Sequence, residues 1–124
     1  MYTVKIKESS KELTPKERIM YKDVSIAVKL DEEVDETSSV EITPVAYVVL
    51  DVHNDKAKDK QDYTKYIIVG ADGKRYTTGS PSFWESFMNI WSELGDSGDY
   101  VLRCYKRDSK NYQGKQFLTC SLVG

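Results

Sequence analysis

Pro81-Ser-Phe-Trp-Glu-Ser-Phe-Met-Asn-Ile-Trp-Ser-Glu-Leu-Gly95 carries the strongest local signal in this chain of 124 residues. Phe83, Phe87, Ile90, Trp91 and Leu94 recur on a period close to 3.6 residues and draw one apolar stripe along a helix. Pro81 suits a first turn, where its missing N–H is not needed. Ser82 and Glu85 have the spacing of a capping box, and Gly95 supplies a left-handed stop. One amphipathic helix is predicted here, and the sequence on both sides of it reads as strand.

Upstream, Val45-Ala-Tyr-Val-Val-Leu-Asp-Val52 is nearly continuous in apolar character, the mark of a central strand. Tyr63-Thr-Lys-Tyr-Ile-Ile-Val69 is a second strand and Arg75-Tyr-Thr-Thr78 a third. Between them Ala71-Asp-Gly-Lys74 holds the Asp-Gly pair that permits positive φ in a tight turn. Downstream, Tyr100-Val-Leu-Arg-Cys-Tyr-Lys106 and Gln116-Phe-Leu-Thr-Cys-Ser-Leu122 form two more strands. The order from Pro44 onward is therefore β-β-β-α-β-β. It is the topology of an OB-fold, a five-stranded, partly open barrel with a helix between strands three and four, whose faces and loops bind oligonucleotides or oligosaccharides. The expected class is mainly β, of the α+β kind.

The first third reads differently, and the chain divides into an N-terminal extension, residues 1–43, and an OB-fold domain, residues 44–124. Thr14 can cap a helix that Pro15 opens and Glu17 completes as a capping box, ending near Lys22. Val24, Ile26, Val28 and Leu30 alternate with Ser25, Ala27 and Lys29, which is a strand period. The acidic, Ser/Thr-rich stretch 31–43 reads as a loop without fixed structure.

Composition narrows the function classes. Apolar residues make up 40% and charged residues 31%, ordinary for a soluble globular protein. No run approaches the roughly 18 apolar residues of a membrane helix. Met1-Tyr-Thr-Val-Lys-Ile-Lys7 lacks the hydrophobic block of a secretory signal, so a cytoplasmic protein is expected. Cys104 and Cys120 fall where a hairpin sets them face to face on its buried side, and they read as reduced core thiols. One histidine and no Cys-x-x-Cys pair leave a zinc site, or any metal or cofactor, without support. No phosphate loop and no nucleophile elbow is present, and His53 stands in a loop without an evident partner. No enzymatic activity is expected.

Charge is unevenly spread. The chain is net −2, yet from Arg103 to Lys115 five bases face one acid, a local balance of +4. The acidity concentrates in Asp31-Glu-Glu-Val-Asp-Glu36, which reads as a solvated segment or as a fence limiting where a polyanion lies. If Leu102 and Cys104 point inward, Arg103, Tyr105 and Arg107 point outward. If Leu118, Cys120 and Leu122 point inward, Phe117 and Thr119 lie opposite. Rings stack on bases of any sequence while Arg and Lys track phosphates. Lys110, Tyr112 and Lys115 in the connecting loop, and Lys56, Lys58 and Lys60 in the first long loop, would close over a strand. Ordinary cross-strand pairing accounts equally well for Tyr105 and Phe117. Asp55, Asp59 and Asp62 cancel the three lysines of the first loop, which favours a solvated loop there. Tyr63, Tyr66 and Tyr76 are further candidates to extend the face, although Tyr63 and Tyr66 differ in parity.

Tyr66-Ile-Ile-Val-Gly-Ala-Asp-Gly-Lys-Arg-Tyr76, the helix after it, and Ser109-Lys-Asn-Tyr-Gln-Gly-Lys-Gln-Phe-Leu-Thr-Cys-Ser-Leu122 together resemble small single-stranded-DNA-binding proteins of phages and mobile elements of Gram-positive bacteria. The resemblance covers about residues 44–124 and rests on layout: an Asp-Gly hairpin before the helix and a Ser-Lys…Gly-Lys loop after it. It implies sequence-independent coating of single-stranded DNA during phage or element replication and recombination. It also implies contacts through Arg103, Tyr105, Lys110, Tyr112 and Lys115. Replication proteins and further copies of the chain are the implied partners. Housekeeping bacterial single-strand binders end in a flexible acidic tail, whereas this sequence stops at Leu122-Val-Gly124, so recruitment through such a tail is not expected. The competing expectation is a non-enzymatic protein-interaction module, for instance a phage protein that occupies a host factor, which the acidic segment would suit.

Overall fold

The computed structural model describes residues 2–35, 37–56, 58, 61–108 and 116–123. Among them the chain runs β1 (Tyr2–Ser9), α1 (Pro15–Lys22), a 3₁₀ turn (Val24–Ile26), β2 (Val28–Lys29), α2 (Leu30–Glu33), β3 (Val40–Ile42), β4 (Pro44–Asn54), β5 (Asp62–Gly70), β6 (Arg75–Thr78), α3 (Pro81–Leu94), β7 (Val101–Asp108) and β8 (Gln116–Val123). Among the described residues the protein is mainly β with three helices. The expected β-β-β-α-β-β order recurs as β4-β5-β6-α3-β7-β8. Its strands divide between two sheets, one ordered β1-β4-β5-β6-β2 and the other β3-β7-β8. All pairings are antiparallel except the short parallel contact of β2 with β6.

Each element follows from local chemistry. Gly73 takes φ 84° in the β5–β6 turn, where the Gly70 N–H donates to Lys74 O and the Lys74 N–H to Asp72 Oδ1. Gly95 ends α3 at φ 59°, its N–H donating to Trp91 O. Thr14 and Glu17 form the expected capping box on α1. On α3 the cap is Ser80, two residues earlier than expected: its Oγ accepts from the Phe83 N–H. Ser82 is displaced from that role because Pro81 already occupies the first helical position. Its hydroxyl instead donates to Leu118 O.

Two cores flank the larger sheet. On one face, Tyr47, Val49, Ile68 and Tyr76 meet Phe83 and Phe87 of α3 and the inward residues Ile42, Leu102, Cys104, Leu118 and Cys120 of the smaller sheet. Phe83 and Phe87 are fully buried, each burial contributing about 1.5–3 kcal/mol. On the other face, Val48, Leu50, Val52 and Ile67 pack with Tyr21 of α1. This double burial explains the unbroken apolar run in β4.

Residues 1–43, read from sequence as an extension, are built into both sheets. β1 pairs along β4 from Tyr2–Asn54 to Ser9–Val48, with a bulge between Ile6 and Glu8. The signal was present: Val4 and Ile6 alternate with Thr3, Lys5 and Lys7, and both pack on the second core. The strand expected over Val24–Leu30 is corrected to the 3₁₀ turn and two-residue β2, with Leu30 opening α2. Ile26 is exposed there, so the alternation does not mark a buried face. The acidic stretch is corrected too. Leu30, Val34 and Ile42 are buried anchors that pin it, α2 forms within it, and β3 pairs with β7.

Candidate nucleic-acid interface

The alternation of β7 sorts its residues as expected. Leu102 and Cys104 are sealed in the core, leaving Arg103 and Arg107 exposed and Tyr105 half-buried on the outer face. Across the ladder Arg103 stands opposite Ser121, Tyr105 opposite Thr119 and Arg107 opposite Phe117. Phe117 is 37% exposed, an apolar ring left in water beside a guanidinium. The Tyr105 hydroxyl lies 2.6 Å from Ser121 Oγ, which fixes the ring across the β7–β8 pair. Arg103, Tyr105, Arg107 and Phe117 therefore share one face. Lys110, Tyr112 and Lys115 lie outside the described residues, as does Lys60.

Thr119 leaves that face. It is buried because α3 runs along β8, where Ser86 Oγ sits 2.9 Å from Thr119 Oγ1. The outer face is consequently narrower on β8 than the alternation suggests. On its other flank, β3 sets Glu41 directly opposite Arg103, and both are exposed. The sequence alone does not single out this acid, because the stretch 31–43 reads as a loop, although Val40-Glu-Ile42 carries the alternation of a strand.

The acidic run borders the same region. Asp31 Oδ2 accepts from Thr78 Oγ1 at 2.8 Å, and the Asp31 carbonyl accepts from Lys106 Nζ at 3.2 Å. A cavity of about 240 Å³ opens between this segment and β7, lined by Asp35, Thr37, Ser38, Ser39, Arg103, Tyr105 and Lys106.

The tyrosines of the larger sheet do not join the platform. Tyr76 is buried, with its hydroxyl 3.2 Å from Asp72 Oδ2. Tyr66 stacks on Trp84 at 4.5 Å and 11°, and Trp84 in turn stacks on Phe87 at 5.1 Å. Tyr63 packs at the margin of the second core, with Lys65 Nζ 6.0 Å from its ring centre. His53 is the penultimate residue of β4 instead of sitting in a loop, and its Nδ1 lies 2.7 Å from Asp62 Oδ1. That pair lines a separate cavity of about 590 Å³ with Lys5 and Asp51, where acids outnumber lysines. Lys56 and Lys58 are exposed beyond it.

Cys104 and Cys120 are buried, unbridged and directly paired across the hairpin. Burial raises both thiols, Cys120 to about 12, so neither is a nucleophile at neutral pH. No helix among the described residues is long and apolar enough to cross a membrane. Comparison of the chain with family models, with curated proteins and with solved structures yields no match in any of the three.

Proposed function

We propose that this protein binds single-stranded DNA without reading its sequence, through the outer face of β7 and β8. The observation that carries the reading is the Arg107–Phe117 pair beside the Arg103–Tyr105 row: two cations and two rings on one exposed face whose reverse is core. Stacking on such rings is worth about 1–3 kcal/mol per base, and the guanidiniums neutralise phosphates. In this reading β4 to β8 form a divergent OB-type barrel with α3 between its third and fourth strands, and β1, β2 and β3 widen it at its edges. Lys110, Tyr112 and Lys115 complete the contact from the β7–β8 loop. The resemblance to phage and mobile-element proteins assigns the activity to DNA replication or recombination inside a bacterial cell. Several copies along a strand, with replication proteins nearby, would be the working assembly. No catalytic step is assigned.

A labelled thymine 30-mer titrated at low and high salt, beside a matched duplex, tests this. Selective binding to the single strand is expected, with log K falling by about 0.7 per neutralised phosphate for each unit of log[salt]. Phe117→Ala and Arg103→Ala should each weaken it. Equal affinity for the duplex, or no binding at low salt, would sink the reading.

The second reading is a protein-interaction module, a phage protein docking on a host factor. Glu41 opposite Arg103 and the exposed Asp31, Glu32 and Glu33 of α2 favour it, because both offer acid to a basic partner. The double substitution Glu32→Gln with Glu33→Gln separates the two: it should strengthen strand binding under the first reading and abolish partner capture under the second.

A further inference from the structure

The cavity between the acidic segment and β7 is lined by two cations and three hydroxyl residues, although the segment beside it is acidic. Its volume of about 240 Å³ equals that of about eight liquid waters, at ~30 Å³ each. Two cations line it. Arg103 makes no ion pair or hydrogen bond among the described residues, so its planar fork is available for a bidentate contact with phosphate oxygens. Lys106 spends one of its three protons on the Asp31 carbonyl and keeps the others. Opposite them stand three hydroxyl residues, Thr37, Ser38 and Ser39. The Thr37 hydroxyl donates to Asp35, the Ser38 side chain also hydrogen-bonds the Asp35 carboxyl, and the Ser39 hydroxyl makes no hydrogen bond among the described residues.

Asp35 is the one acid in the lining among the described residues, and its carboxylate is engaged by its own turn. Its Oδ1 accepts from the Thr37 N–H at 2.8 Å, the Thr37 hydroxyl at 3.0 Å and the Ser38 N–H at 2.8 Å. Those bonds, the Thr37 N–H foremost, hold the carboxyl below its ordinary range, so it braces the turn as an anion. The opening exists because β3 begins only at Val40, opposite Cys104, and leaves β7 from Tyr105 onward without a strand on that side among the described residues.

We propose that the Thr37–Ser39 turn and the Arg103–Lys106 stretch of β7 form a seat for one tetrahedral phosphate group, filled in the working complex by a phosphodiester of the bound strand. The assignment rests on the single-strand reading above and deepens it: the Ser/Thr residues after the acidic run become ligands, and Lys106 becomes a phosphate contact. The acids around the seat then bar the strand from drifting past it.

The test titrates the thymine 30-mer into wild type, Lys106→Gln, Lys106→Arg and Ser39→Asp across a salt series, with thermal melts to confirm folding. Lys106→Gln should make the slope of log K on log[salt] shallower by about 0.7, and Lys106→Arg should restore it. Ser39→Asp, which adds a charge to the seat without touching the Asp31 contact, should weaken binding roughly fivefold, the effect of one unit charge at about 4 Å in water. Wild-type slopes and affinity in both Lys106→Gln and Ser39→Asp would overturn the seat while leaving single-strand binding intact. If wild type binds no strand, the functional reading itself fails, and inorganic phosphate decides the seat. Shifts of the Thr37, Ser38 and Ser39 amide resonances on adding phosphate keep the seat with free phosphate as its ligand, and no shift removes it.

Discussion

The five-stranded sheet buries apolar residues on both faces, one against α3 with the smaller sheet and the other against α1, whereas the three-stranded sheet buries one face and, Thr119 under α3 aside, turns the other toward water. The difference is written into the strands. β4 runs Val48, Val49, Leu50 without a polar break because both of its sides meet apolar partners. β7 alternates Leu102, Arg103, Cys104 and Tyr105 because only one side does. Substitution in the first sheet should therefore change stability, and substitution on the outer face of the second should change binding.

The largest expected effect lies where the sheets share α3. Phe87 is fully buried, with its ring against Tyr47 at 6.1 Å, Trp84 at 5.1 Å and Trp91 at 5.7 Å. Phe87→Ala should cost about 3–5 kcal/mol in urea unfolding. A loss under 1 kcal/mol would remove α3 as the joint between the two layers. Leu50→Ala, in the core beneath α1, should cost about 2–5 kcal/mol. An effect no larger than that of a surface change would mean that the second face is open after all and the contrast between the sheets is false.

Alkaline titration probes the sealed face of the smaller sheet. Burial raises Cys120 from 9.0 and Tyr100 from 10.0, each to about 12, and raises Cys104 as well. With the folded-state values above the unfolded ones, the native state holds protons that the unfolded chain has released, so stability falls as pH rises. Urea midpoints should hold below about pH 9 and drop progressively toward pH 12. A midpoint flat across that range would show the hairpin interior to be wet.

Smaller effects separate local from tertiary roles. Ser80→Ala should cost about 1 kcal/mol through loss of the α3 cap. Glu85→Ala should stay within about 0.5 kcal/mol, since Glu85 is exposed and does not cap. The smallest change in stability is expected on the open face. Arg103→Ala and Phe117→Ala should each alter unfolding by less than about 0.5 kcal/mol while weakening the thymine 30-mer complex. Loss of stability without loss of binding would invert the comparison.

Reading the chain residue by residue worked best where the signal and its cause are close together. The helix stripe, the Asp-Gly turn, the Thr14 box and the inward Cys104–Cys120 pair all depend on neighbours within a turn or a hairpin. The platform was legible for the same reason, since alternation along β7 alone sorts Arg103, Tyr105 and Arg107 outward. It failed where polar segments hang on a few apolar anchors. Leu30, Val34 and Ile42 hold the acidic stretch, but three buried residues scattered among acids resemble a solvated loop until β7 and β6 supply their partners. Thr119 shows the same limit on a smaller scale: its parity is right, yet a helix lies over it.

Short-range chemistry thus settles which residues of this chain become strand, turn and helix between Pro44 and Asp108, because caps, stops and alternation act over a few residues. Strand neighbours are another matter. That β1 borders β4, that Glu41 faces Arg103 and that Thr37–Ser39 stand across from Lys106 all depend on pairings between residues far apart in the chain. Such pairings are chosen by which buried faces can be closed together, and that choice exists only once the two sheets and α3 are packed.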